Sequence, residues 1–271
     1  AAGLQGAGAA SEALGVSSAT TGGRSITPSS TAGISPGDLI RIRSLDTIAT
    51  GHQYAELFRV EQVSGANVLV DGLLLGTYST TPLFEEITPI SNVRLENLTI
   101  TAPSGGYAID LSLCEAVRMT NVIVRSIAAT ESIRIISCYD VDMSGVRMVQ
   151  RTSAEAGGFI IGDASCHVRL RGCSVERSGA PLMIGDDYAS TDGLTTDVRV
   201  SDCAFTWCQG AAIAVGANGV VITDCTFNAD LDPGSATEVL RIGGDNVTVR
   251  NCEFRDMDSD VINVTALVNA S

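Results

Sequence analysis

The chain has 271 residues, 45% of them hydrophobic and 4% aromatic, with 28 glycines and a formal net charge of −14. All 17 basic residues are arginine, which excludes a catalytic lysine, and the acidic balance argues against non-specific binding to nucleic acid or to an anionic membrane, since both need clustered positive charge. No apolar run reaches 18 residues, so no membrane insertion is expected.

Residues 1–33 form a Gly/Ala/Ser/Thr-rich tract, a composition that by itself reads as a flexible linker. In residues 34–90, Ser35-Pro-Gly-Asp38 signals a turn and Leu39-Ile-Arg-Ile42 a strand. Glu56 to Val63 and Val68 to Leu75 read as two strands joined across Ser64-Gly-Ala-Asn67, a small antiparallel excursion.

From residue 91 one phrase recurs. It is plainest as His167-Val-Arg-Leu-Arg-Gly-Cys-Ser-Val175, Asp197-Val-Arg-Val-Ser-Asp-Cys-Ala-Phe205, Gly219-Val-Val-Ile-Thr-Asp-Cys-Thr-Phe227 and Asn246-Val-Thr-Val-Arg-Asn-Cys-Glu-Phe254. With aliphatic residues in place of cysteine it also starts at Val93, Val117 and Val141, which makes seven repeats spaced 22 to 30 residues apart. A fixed phrase with elastic intervals points to a solenoid. The two-residue alternation within it is that of a strand. The alternation breaks at Asn97, Asn121, Gly145, Gly172, Asp202, Asp224 and Asn251, residue types that enter the left-handed region at least cost, so each phrase reads as strand, corner, strand. A third strand follows in every repeat, from Ala108-Ile-Asp-Leu111 to Ile262-Asn-Val264. Three strands per turn, paired rung on rung, predict an all-β, parallel β-helix over residues 91–271 with seven rungs. Cys173, Cys203, Cys225 and Cys252 fall in one inward column and are expected to be free thiols acting as small hydrophobes.

These repeats resemble the right-handed β-helices of the pectate-lyase-like superfamily, bacteriophage tailspikes among them. The likeness extends to Leu4-Gln-Gly-Ala-Gly8, which is similar to the early-rung phrase of such proteins. On that resemblance residues 1–33 are an early rung, and residues 34–90 are a hairpin excursion leading into the helix. The chain would then begin and end within the rung pattern, which predicts a segment of a longer polypeptide or one capped by partners.

In that superfamily saccharide sites lie on the outer face of the third strand and the turns beside it. Here that face carries Asp110, Arg134, Ile160, Met183, Ala214, Arg241 and Asn263. The apolar middle predicts an interface, such as that of a homotrimer or of contacts with other virion proteins. Asp230, Asp232, Asp256, Asp258 and Asp260 lie in the long turns of the last two rungs. Paired carboxylates about 5–10 Å apart suit glycoside hydrolysis, and Asp230, Asp232 and Asp258 could instead hold Ca²⁺, with Arg241 beside them; aspartates of ordinary surface turns are the alternative. Asp186, Asp187 and Tyr188 form a second group in the longest interval. Arg94, Arg118, Asp142, Arg169 and Arg199 share the outer face of one strand, with Arg171 and Arg250 alongside. That stripe suits an anionic glycan or plain inter-rung pairing. Trp207 is either a sugar platform or a lid on the core.

The resemblance thus implies a tailspike-like protein of the virion tail or the extracellular space that recognises bacterial surface polysaccharide and cleaves it by hydrolysis, with no cofactor beyond calcium. A non-catalytic shaft or adhesin is the alternative, and a secreted polysaccharide lyase comes third. The scarcity of aromatics favours the shaft, since sugar clefts usually need aromatic walls.

Overall fold

The structure is a computed structural model, and it describes residues 4–47, 53–76, 78–102, 106–126, 133–150, 157–185, 193–208, 212–228, 240–255 and 262–264. All its described elements are strands and turns. Most of them build a parallel β-solenoid with three faces. The first face stacks Arg94–Glu96, Cys114–Thr120, Tyr139–Ser144, Cys166–Arg171, Thr195–Ser201, the second half of Ala212–Thr223, and Thr248–Arg250. The second is a seven-stranded sheet running from Thr99–Ala102 to Glu253–Arg255. The third runs from Leu4–Ala7 through Ile109–Ser112, Ile133–Ile136, Gly157–Gly162 and Ala180–Gly185 to Ile262–Val264. Ala212–Thr223 bends from the third face into the first, which makes those two one continuous sheet.

Parallel stacking puts equivalent residues in columns, and the columns are the core. Val117, Val141, Val168, Val198 and Val220 form one, and Val122, Val146, Cys173, Cys203 and Cys225 another, all at most 2% exposed. Phe205, Phe227 and Phe254 stack face to face, with centroids 5.0 and 5.2 Å apart. The thiols are free, as the sequence predicts. A second thiol pair, Cys114 and Cys138, lies where the third face passes into the first, and burial pushes the Cys138 thiol well up.

The corner residues behave as expected. Asn97, Asn121, Gly145, Gly172, Asp202, Asp224 and Asn251 all have φ between 52° and 63°. A second left-handed column shows less plainly in the sequence. It lies one residue before each phrase valine, at Asn92, Ala116, Asp140, His167, Asp197, Gly219 and Asn246, with φ from 46° to 71°. Each rung therefore takes one left-handed residue on entering the first strand and another on leaving it, and Leu113, Ser137 and Asp163, with φ from 48° to 50°, add a third where the third face ends. Ala116 and His167 hold that conformation without the local hydrogen bonding that eases it for Asn and Asp.

The remaining strands form a small antiparallel sheet closed on itself. Its order is Ala9–Ala10, Leu83–Thr88, Leu14–Ala19, Ser25–Pro28, Asn67–Val70, Gln53–Ser64 and Leu39–Thr47, the last returning to Leu83–Thr88. It thus draws strands from residues 9–28, within the tract read as an early rung, while Leu4–Ala7 alone pairs in parallel with Ile109–Ser112 as a rung. Gly8 lies at the switch between the two, where a Cβ would stand 2.3 Å from the carbonyl oxygen of Leu113. Only glycine fits.

Ile26, Ile40, Ile42, Phe58, Val68 and Phe84 fill the closed sheet. Inside it, Glu56 is 2% exposed and accepts from the Leu75 and Gly76 amides and the Tyr78 hydroxyl, at 2.7 Å and 2.5 Å for the last two. Leu39, Ala55, Leu57 and Ile87 pack outward against Tyr139, Ala164 and Cys166 of the solenoid. At this seam Arg59 donates to Glu115 at 2.9 Å and lies over the Tyr139 ring, and Tyr139 donates to Asp71.

Candidate functional site

The first face carries an open groove of about 420 Å³, lined by Asp142, Arg169, Arg171, Arg199, Val200, Ser201, Val221, Thr223 and Arg250. Two outward columns build it. In one, Asp142, Arg169, Arg199 and Val221 follow each other rung by rung; in the other the order is Arg171, Ser201, Thr223 and Arg250. Alternation along each strand places both columns on the outer face, and rungs about 4.8 Å apart set the spacing along them. Long guanidinium side chains thus surround a short floor of Val221, Ser201 and Thr223.

The ion pairs show which arginines are engaged. Arg171 reaches Asp142 at 3.2 Å with 60% of its side chain exposed, and Arg199 reaches Asp197 at 3.3 Å with 61% exposed. Arg169 and Arg250 have no ion pair among the described residues. Asp197 also accepts from His167 Nδ1 at 2.6 Å. The hydrogen bond to Asp197, followed by contact with Cys166, raises the His167 pKa to about 10, and the same bond holds Asp197 below the usual carboxylate range. His167 is therefore a cation at neutral pH, two residues before Arg169.

Pairing engages part of the stripe elsewhere, although Arg94, in register with Arg118, has no ion pair among the described residues. Arg118 binds Asp140 at 2.6 Å, and Glu115 is taken by Arg59. On the third face Arg134 makes a bidentate pair with Asp110, 2.8 Å in both bonds, and covers the Tyr107 ring at 4.2 Å.

The expected apolar interface on that face needs correction. Ile160 and Met183 point outward from the strand, yet they are 3% and 4% exposed within the single chain. They are covered within the chain and offer no surface to a second copy. Trp207 is half-buried on the second face, at the end of Ala204–Cys208, with the Arg177 guanidinium 5.1 Å from its ring centroid. It does not line the groove. Asp186, Asp187, Tyr188, Asp230, Asp232, Asp256, Asp258 and Asp260 lie outside the described residues. Arg241 is placed through its backbone, in register with Ile213 and Asn263. Among the described residues no group of three or more His, Cys, Asp or Glu could hold a metal ion, and no helix is long and apolar enough to cross a membrane.

Of the groove residues, the arginines and Asp142 were visible in the sequence as a stripe. The floor was not, because Ser201, two residues after Arg199, carries no signal of its own and Val221 and Thr223 meet the arginines only through the register of adjacent rungs.

Comparison with known proteins agrees with the fold. A search of curated proteins returns no match. The tailspike protein gp49 from Pseudomonas phage LKA1 is similar in structure, with a TM-score of 0.64 and 17% identity, over 96% of this chain and 47% of that one. The tailspike gp61 of Pseudomonas phage phi297 gives 0.54 and 11%, over 97% of this chain and 50% of that one. The chain thus spans about half the length of these solved structures, and at such identities the likeness is one of fold. The profile of the right handed beta helix region matches residues 86–230 and 188–269; with well over half of its length so matched, the chain belongs to the right-handed parallel β-helix family.

Proposed function

We propose that this chain is the β-helix of a tailspike-like protein, of the virion tail or the extracellular space, and that it recognises bacterial surface polysaccharide on the flank of the solenoid. The observation that carries the reading is the open groove across the rungs of the first face, where charged and hydroxyl side chains converge. A polymer lying along the stack would meet a new row of side chains about every 4.8 Å. The solved structures of similar fold are phage tailspikes, which supports the assignment to recognition of a cell surface. Fold alone does not carry chemistry, and the site must.

The test is a panel of bacterial capsular and O-antigen polysaccharides, assayed for binding and for new reducing ends, with and without Ca²⁺. Binding to at least one member is expected. Product masses with added water would assign hydrolysis, and an unsaturated sugar would assign a lyase. If cleavage occurs, Asp232→Asn and Asp258→Asn should abolish it with the melting temperature unchanged. Absence of both binding and product across the panel would replace this reading with that of a structural shaft.

A further inference from the structure

We infer that the groove is built for an acidic polysaccharide, with Arg169 and Arg199 gripping one anionic group and Arg171 and Arg250 flanking the hydroxyls of Ser201 and Thr223 along the sugar chain. The inference rests on the polysaccharide reading above and names its substrate class.

The argument starts from register. Arg169 and Arg199 occupy the same position of adjacent rungs, and like charges placed directly opposite each other on a sheet face repel. At two other positions the solenoid relieves such charge from within. Arg134 stacks on Asp110 in the same register and binds it through two hydrogen bonds, and Arg118 binds Asp140. In the groove the lining offers four guanidinium groups one carboxylate, that of Asp142, which is engaged with Arg171. Asp197 reaches Arg199 only through the oxygen it does not share with His167. Arg169 and Arg250 are left without an ion pair among the described residues. A chain of net charge −14 that lines one groove with four arginines, two of them without an ion pair among the described residues, has a local reason to do so.

The geometry suits an oxyanion on a sugar. A guanidinium presents paired donors matching the two oxygens of a carboxylate or sulfate. Between the arginine walls, the Ser201 and Thr223 hydroxyls can donate to and accept from sugar hydroxyls, and Val221 offers an apolar patch to a ring face. Asp202 and Asp224 stand exposed at the corner beside the floor and set the limit on that side, since an anionic group placed there would be repelled.

The experiment measures binding of the whole chain to polygalacturonate, dextran sulfate and neutral dextran. Tight binding to polygalacturonate or dextran sulfate is expected, the stronger of the two identifying the oxyanion, with affinity falling as salt rises because the contacts are charged. The double variant Arg169→Ala/Arg199→Ala should weaken that binding about a hundredfold, roughly tenfold for each lost charged contact. Arg24→Ala/Arg147→Ala, with the same change of net charge away from the groove, should change it less than about twofold. Equal loss in both double variants would overturn the site, because it would reduce binding to net charge. Dextran bound as tightly as the acidic polymers, with the affinity indifferent to salt, would overturn the acidic class while leaving polysaccharide recognition standing. If neither these three polymers nor any member of the bacterial panel binds, both readings fall together. The salt series on the unmodified chain decides the acidic class even if a variant folds poorly.

Discussion

The closed antiparallel sheet and the solenoid bury their interiors by opposite means. In the solenoid the core side chains of each column lie between their counterparts in the rungs above and below, and the columns are aliphatic, thioether, aromatic or thiol, with buried hydroxyls such as Ser137 and Ser165 set where the third face passes into the first. In the closed sheet no residue stacks on a copy of itself. The two buried carboxylates among the described residues, Glu56 and Glu85, both belong to it: Glu56 is held by two amides and a tyrosine, and Glu85 by Arg41 and Arg43 at 2.7 and 2.9 Å. Repetition lets a core be specified by size and shape alone. Without repetition, directional polar contacts supply the uniqueness that register supplies elsewhere.

The sharpest way to break this contrast is to remove one member of a column. Phe205→Ala should cost about 3–5 kcal/mol of unfolding free energy, read by denaturant titration. Hydrogen exchange should show the lost protection spreading to the strands carrying Phe227 and Val175, while Leu39–Thr47 keeps its own. Protection lost equally in the closed sheet would show that the two regions unfold as one unit.

The second largest effect belongs to the closed sheet. Tyr78→Phe deletes a donor to a buried carboxylate and should cost about 1.5–3 kcal/mol, seen as faster exchange in Gln53–Ser64. Burial raises the Glu56 pKa above its ordinary value, against the hydrogen bonds that lower it. A group raised on folding contributes stability that is full below its unfolded pKa and is lost as pH rises through the folded one. The difference in stability between the native chain and Glu56→Gln should therefore shift against the native chain as pH rises from about 4. A difference independent of pH would mean that Glu56 folds with its ordinary affinity for protons.

The smallest effect tests the corners. Asn121→Ala should lose about 1–2 kcal/mol because its φ of 52° lies in the left-handed region, and Asn121→Gly should recover most of that. It would also lose the rung-to-rung bond to Asn97 at 3.2 Å. If both variants are equally damaged, the side-chain ladder and not the backbone fixes the turn.

How much of this could be read beforehand follows from the same contrast. The valine and cysteine columns were legible because a rung repeats its pattern, and the Asn/Gly/Asp corners because those residue types announce a left-handed turn. The bend before each phrase valine was less legible, since Asn92, Asp140, Asp197, Gly219 and Asn246 carry the same signal but Ala116 and His167 interrupt it. Of the closed sheet the sequence shows the strand Leu39 to Ile42 and one hairpin, Glu56 to Val63 with Val68 to Leu75, found as Gln53–Ser64 with Asn67–Val70, because its other pairings join residues such as Val16 and Pro28, or Ile42 and Phe84, that share no period. On the third face the alternation correctly marked Ile160 and Met183 as outward, but outward from a strand is not the same as exposed. The groove was half legible: the arginine stripe shows in the sequence, and its floor of small polar and aliphatic residues carries no chemical signal until consecutive rungs are stacked in register.

The elastic spacing of the repeats has a consequence for how such a chain can change. Intervals of 22 to 30 residues leave the pairing of adjacent rungs continuous from Arg94–Glu96 to Thr248–Arg250. Length is therefore absorbed between strands while the columns hold their place. Over generations, inserted or exchanged segments could give the surface new binding properties while the interior that carries them goes on folding as before.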